Sequence, residues 1–273
     1  MLKAQRFLGA GVVNGILYAV GGALGGGDLK TVEAYDPSTN SWARKASMPT
    51  ARENLGVGVI NGILYAVGGN ANGPGAVAKV EAFDPATNTW TTKAPLPKAQ
   101  NCLAVGVVDG KLYAVGGDDA HGHNYNTVEA YDPTTDTWSA EAPMPTARTC
   151  LAARVVNHIL YAVGGQDENG VALNTVEAYD PNTNAWATAP SMPTARSFLA
   201  AVVLNGRLFA VGGNSGGPLD TNEAYNPANT SWVAKPSMPT ARAGLAAGVI
   251  HGVLFAIGGS NGSDLTTNEA FTP

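Results

Sequence analysis

The stretch that decides the fold is Val59-Ile60-Asn61-Gly62-Ile63-Leu64-Tyr65-Ala66-Val67-Gly68-Gly69. Apolar residues flank an Asn-Gly pair, the dipeptide that most readily adopts the positive φ angles of a two-residue hairpin. Leu55 to Ile60 therefore reads as one short strand and Ile63 to Val67 as the next, which ends at the glycine pair. A polar, glycine-containing stretch follows, and Val80 to Phe83 reads as a third strand. Asp84-Pro85-Ala86-Thr87-Asn88 is a turn whose proline presets φ, and Trp90 to Lys93 is a fourth strand. We label these strands A to D.

The unit recurs along the whole chain. The second glycine of the pair falls at Gly22, Gly69, Gly117, Gly165, Gly213 and Gly259, at spacings of 47, 48, 48, 48 and 46. Trp42, Trp90, Trp138, Trp186 and Trp232 keep the same beat, as do Tyr35, Phe83, Tyr131, Tyr179, Tyr225 and Phe271. Of the 20 aromatic residues, 17 sit at repeat positions, which assigns them to packing between repeats. Phe7, Phe198 and Tyr125 are left over, and Phe7 and Phe198 occupy equivalent positions in repeats one and five. A four-stranded unit of this size cannot bury a core alone, and stacking six around an axis covers each apolar face.

These features resemble the kelch repeat family over residues 1–273: the apolar strand ending in Gly-Gly, the spaced Tyr and Trp, and the Asp-Pro-x-Thr-Asn-x-Trp turn. The resemblance implies an all-β, six-bladed β-propeller in one domain, with four antiparallel strands per blade. The blades fall at about 6–47, 52–95, 100–143, 148–191, 196–237 and 242–273. Repeat six stops at Ala270-Phe271-Thr272-Pro273, just after strand C, so the last blade is expected to have three strands. Met1 shares its repeat position with Met48, Met144, Met192 and Met238, which suggests a chain cut at a repeat boundary. An open strand C edge invites pairing with another chain, and the expectation is either a truncated chain or self-association through 266–271.

Composition narrows the partners. Lys and Arg number 16 against 21 Asp and Glu, a net charge of −5, which disfavours nucleic acid and anionic membranes. With 45% hydrophobic and 14% charged residues, disorder is not expected. No apolar run reaches the roughly 18–20 residues of a membrane span, and Met-Leu-Lys-Ala-Gln-Arg is no signal-peptide core. The compartment is not readable from the chain.

Strand parity puts the B–C and D–A connections on one face and the A–B and C–D turns on the other. All variation in repeat length lies in the B–C loops, at 23–31, 70–79, 118–127, 166–175, 214–221 and 260–267. Variable loops on a rigid scaffold are where binding is expected. The D–A segment adds a ring reading Gln5, Arg52, Gln100, Arg148, Arg196 and Arg242, followed by Arg6, Glu53, Asn101, Thr149, Ser197 and Ala243. In kelch substrate adaptors of ubiquitin ligases, arginines and small hydroxyl residues at this mouth hold acidic peptide segments. That resemblance makes Arg52, Arg148, Arg196 and Arg242 site candidates. The same arginines can instead brace the glutamate of each strand C, at Glu33, Glu81, Glu129, Glu177, Glu223 and Glu269. Residues that do not repeat are stronger candidates: Arg6, Glu53, Asn101, Thr149 and Ser197. So are the residues after each glycine pair: Asn70, Asp118, Gln166, Asn214 and Ser260. Arg154 stands where other repeats have Gly11, Gly58, Gly106, Val202 and Gly248, and either binds an anion in the central channel or reaches water there.

Chemistry is sparse. His121 and His123 lie near Asp118, Asp119 and Tyr125, but a glycine-rich loop makes a poor metal site, and no metal or cofactor is expected. Cys102 and Cys150 hold the same position in neighbouring repeats. Sheets packed about 10 Å apart would keep them as free thiols, beyond the ~7 Å Cα separation of a disulfide. No nucleophile elbow or phosphate-binding loop is present. The expected function is a non-catalytic module that binds a protein or peptide on the B–C/D–A face. Two alternatives stand beside it. One is a carbohydrate-directed enzyme resembling the kelch-type sialic acid mutarotase, with Arg52, Glu53, Arg148 and Arg154 clustered. The other is a truncated or designed scaffold with no native ligand.

Overall fold

The computed structural model describes residues 1–71, 75–119 and 121–273, so residues 72–74 and 120 of the second and third B–C loops lie outside the described residues. Each repeat folds as an antiparallel sheet in chain order. In blade two the strands are Gly56–Ile60, Ile63–Val67, Val80–Asp84 and Thr89–Lys93. Blade six has three strands, Ala243–Ile250, Val253–Ser260 and Asn268–Phe271. The innermost strands, Gly9–Val13, Gly56–Ile60, Ala104–Val108, Ala152–Val156, Ala200–Leu204 and Ala243–Ile250, lie each against the next. The sixth meets the first, so the six blades close into a propeller.

The repeated aromatics form the interblade core. The strand B ring of one blade packs on the strand C ring of the next, as in Tyr65–Tyr131 and Tyr113–Tyr179, both 5.8 Å between centroids. Phe255–Tyr35, at 5.4 Å, makes the closing contact between blades six and one. The strand D tryptophan then covers the strand C ring, as Trp138 does Tyr131 at 5.1 Å. Its indole N–H donates to a carbonyl of the preceding blade, Trp138 to Ala94 O at 3.0 Å. An apolar ring with one polar edge suits a half-buried site of this kind.

The glycine pairs fix how the D–A segments lie. At Gly68 (φ +59°) a Cβ would sit 2.6 Å from Gln100 O, and at Gly69 (φ +97°) 2.6 Å from Glu53 O. Only a residue without a side chain permits both approaches. Gly69 N donates to Gln100 O at 2.8 Å, tying the end of strand B to the following D–A segment.

One feature of the axis is not expressed in the repeat pattern. Phe7, Asn54, Cys102, Cys150, Phe198 and Gly244 all have φ between 50° and 62°. Each N–H donates to the carbonyl of the equivalent residue in the preceding blade, at 2.7–3.0 Å, and Phe7 N closes the circuit on Gly244 O. Six backbone hydrogen bonds thus encircle the axis and offset the cost of left-handed backbone at five non-glycine residues. Here the expectation of two free thiols is overturned: Cys102 and Cys150 form a disulfide, with Cα atoms 4.6 Å apart. The 10 Å spacing belongs to sheets packed in parallel layers. Propeller blades converge on the axis, and these cysteines sit on the innermost turn.

Candidate functional site

On the B–C/D–A face, the two candidate positions of each blade are brought together. The residue after the D–A brace pairs antiparallel with the residue after the glycine pair. The six pairs are Arg6–Ala23, Glu53–Asn70, Asn101–Asp118, Thr149–Gln166, Ser197–Asn214 and Ala243–Ser260. The glycine pair makes this possible by letting the chain turn against the D–A segment. The result is one backbone geometry, repeated six times around the mouth, carrying a different side-chain pair in each blade.

Several of these side chains are interlinked. Thr149 Oγ1 donates to Asp118 Oδ2 at 2.6 Å, and Asn101 Nδ2 to Asp118 Oδ1 at 3.3 Å. Asn124 Nδ2 donates to Gln166 O at 3.0 Å, joining blades three and four. Arg6 Nη1 reaches Asp264 Oδ1 at 3.2 Å, and Asp264 Oδ2 accepts from Gly25 N at 2.9 Å. Between blades four and five a groove of about 350 Å³ is lined by Gln166, Gly170, Ala172, Ser197, Asn214, Gly216 and Gly217. Amides, a hydroxyl and bare glycine backbone make it a neutral, hydrogen-bonding surface.

The opposite side of the mouth is acidic. Burial raises the Glu53 carboxyl above its ordinary range, the nearby Asp28 raises it further, and Asn70 and Arg6 partly offset this. Asp264 adds a second repulsive carboxylate. Arg6 is the one candidate arginine of the mouth that keeps exposure, about a third of its side chain, and it is already paired with Asp264.

The other candidate arginines lie elsewhere. Arg52, Arg148, Arg196 and Arg242 are fully buried. Arg52 Nη2 donates to Glu81 Oε2 at 2.7 Å and its Nη1 to Gly68 O at 2.8 Å. Arg148 pairs with Glu177 at 2.9 Å, Arg196 with Glu223, and Arg242 with Glu269. Thr50, Thr146, Thr194 and Thr240 each donate to the second oxygen of the same glutamate. These four arginines brace the fold and leave no guanidinium face for a ligand, so the arginine clasp for acidic peptides is not assembled here. Glu33 and Glu129 depart from the pattern, because Gln5 and Gln100 replace the arginine and Lys3 and Lys98 replace the threonine. Gln100 Nε2 donates to Thr127 Oγ1 at 2.9 Å, while Lys98 Nζ lies 4.0 Å over the Tyr125 ring.

Arg52, Glu53, Arg148 and Arg154 do not converge. Arg154 lies in the central channel, beneath the innermost turn. His123 Nδ1 meets Asp119 Oδ2 at 2.8 Å at the surface. Among the described residues, no group of three or more His, Cys, Asp or Glu is placed to hold a metal ion. Sequence reasoning missed the plug at the channel mouth. The Phe7 and Phe198 rings meet at a tilt, 5.2 Å between centroids, with Phe7 over Gly244, and Asn54 and the disulfide complete the turn. The equivalence of Phe7 and Phe198, with no packing role assigned, was the available signal.

Comparisons with known proteins agree with this architecture. The solved structure of YjhT superposes with a TM-score of 0.87 at 17% identity, covering 99% of this chain and 95% of its own. At that identity the likeness is one of fold. No curated protein sequence matches the chain. The family model of the KLHDC2/KLHL20/DRC7 Kelch-repeats domain matches residues 91–259, and that of the Kelch motif matches residues 6–49 and 51–97. With the six glycine-paired blades and their strand C–tryptophan stacks in place, the chain belongs to the kelch repeat family.

Proposed function

We propose that the protein is a non-catalytic binding module whose B–C/D–A face takes an extended peptide carrying a basic side chain. The observation that supports this reading is the ring of six mouth pairs, with identical backbone and a different side-chain pair in each blade. Varied side chains on a rigid scaffold are where a fold of this kind carries recognition. The chemistry favours a basic segment over an acidic one. The braced arginines are buried, and Glu53, Asp28 and Asp264 outnumber Arg6 at the mouth. The groove beside Gln166, Ser197 and Asn214 suits a peptide main chain, which presents alternating donors and acceptors.

The test is selection from a random peptide library displayed on phage. Lys- or Arg-containing peptides should enrich. Their binding should fall about tenfold or more, the loss of a hot-spot contact, in Glu53→Lys and in Asn214→Arg. Enrichment of acidic peptides, or binding indifferent to both substitutions, would sink the proposal. The neutral groove also suits a sugar, and this second reading is separated by a glycan array. Glycan capture that depends on Gln166 and Asn214, with no peptide enriched, would favour it.

A further inference from the structure

The inner edge of every strand A is unpaired, since A bonds only to B, and these edges line the axis. Along it, the residue two before the end of strand A is Gly11, Gly58, Gly106, Val202 or Gly248 in five blades and Arg154 in blade four. The next-to-last residue of strand A is valine in all six: Val12, Val59, Val107, Val155, Val203 and Val249. This valine ring lines a compartment of about 310 Å³, in which Arg154 contributes the one polar side chain among the described residues. That volume is within the range of small-molecule sites, about 300–1,000 Å³. Above it Arg154 also borders a smaller space of about 100 Å³. Phe7, Phe198 and the disulfide narrow the channel at the mouth, where they line a further space of about 120 Å³.

Arg154, which is partly buried, differs from the four fully buried arginines. Arg52, Arg148, Arg196 and Arg242 each have a glutamate. Arg154 has no carboxylate partner among the described residues. Its Nη1 donates to Ala153 O at 2.7 Å and Val105 O at 3.5 Å. Among the described residues no acceptor meets Nε or Nη2, the side-on edge that grips a carboxylate with two parallel hydrogen bonds. Burial alone draws its pKa down to about 10, which leaves it charged at neutral pH. A lone cation beside six valines calls for a ligand with one negative charge and an aliphatic body. A dianion would bring one charge too many, and a sugar would find no side-chain acceptors on these walls.

We propose that the central channel binds a small aliphatic monocarboxylate, its acid group on the Nε/Nη2 edge of Arg154 and its chain against the valine ring. This site is separate from the peptide face. The probes are acetate, butyrate, hexanoate and 1-hexanol, titrated into the whole chain by calorimetry and by ligand-observed NMR. Hexanoate should bind with one-to-one stoichiometry, and affinity should rise about fourfold per methylene from acetate upward. Arg154→Gly restores the residue that four other blades use, so it should fold. It should weaken hexanoate about tenfold or more and leave 1-hexanol unchanged. Val249→Thr, which keeps shape and adds a hydroxyl, should weaken hexanoate and 1-hexanol alike, and decides the matter if the glycine variant melts. Asn214→Arg on the peptide face should change neither. The proposal is overturned if hexanoate does not bind, if it binds Arg154→Gly or Val249→Thr as it does the wild type, or if acetate binds as tightly as hexanoate.

Discussion

Replacing Arg148 by glutamine gives blade four the brace residue of blade three, while Thr146 still donates to Glu177 at 2.8 Å. The substitution removes the 2.9 Å pair with Glu177 and the donations from Nη1 to Thr175 O and from Nη2 to Ala162 O, both 3.1 Å. Breaking a buried ion pair by removing one partner costs about 3–5 kcal/mol, mostly the uncompensated charge that remains. The incoming amide can reach the Thr175 hydroxyl, as Gln100 reaches Thr127, and one such bond returns about 1 kcal/mol. The net loss is about 2–4 kcal/mol, or about 4–8 °C in melting temperature for a chain of this length. Glu129 supplies the sign of the pH dependence. Burial holds its carboxyl above the ordinary range, and Lys98 pulls it partly back. A carboxyl whose folded-state pKa is raised contributes stability that is complete below its unfolded value, about 4.3, and lost as pH rises through the folded value. Arg148→Gln turns Glu177 into such a group. The deficit should therefore be larger at about pH 7.5 than at about pH 5. Adding Glu177→Gln should recover most of it at the higher pH. Scanning calorimetry of the wild type, the single and the double variant at both pH values is the assay. A deficit equal at the two pH values, or a double variant less stable than the single, would refute the charge argument.

Two further outcomes test the axis. Unfolded without reductant, the chain should show no reactive thiol, and with reductant it should show two. Reduction should lower stability by up to about 4 kcal/mol, from the entropy of a loop closed across 48 residues. Two thiols in the unreduced chain would contradict the disulfide. Gly244→Ala should cost about 2 kcal/mol, because φ is +62° and the new Cβ would lie 2.5 Å from Phe7 Cδ1. Gly217→Ala, in open space, is the control and should change stability by less than about 0.5 kcal/mol. Equal melting of the two variants would remove the plug from the account.

The repeat was legible because its signals are local. Asn61-Gly62, Gly68-Gly69 and Asp84-Pro85 place the strands of blade two within a residue of where they lie. The mouth pairs were half legible. Glu53 and Asn70, or Ser197 and Asn214, stood out separately as residues that vary in place, and the structure showed that they face each other. The arginines were ambiguous in sequence, since a residue repeated in four blades reads equally as a binding ring or a brace. Burial decided between them, and the exchange of Thr-x-Arg for Lys-x-Gln in blades one and three was the overlooked hint.

The sequence by itself determined six blades, their strand order, the three-stranded sixth blade and the face that varies. Each of these follows from turn residues and apolar spacing within one repeat. Only the tertiary structure decided what equivalent residues of different blades do to one another. A repeat gives the position along a blade, but the distance between two copies of that position grows with its distance from the axis. At the innermost turn the distance shrinks to 4.6 Å, which joins Cys102 to Cys150. The same convergence brings Phe7 against Phe198 and leaves Arg154 among valines, with no carboxylate partner among the described residues.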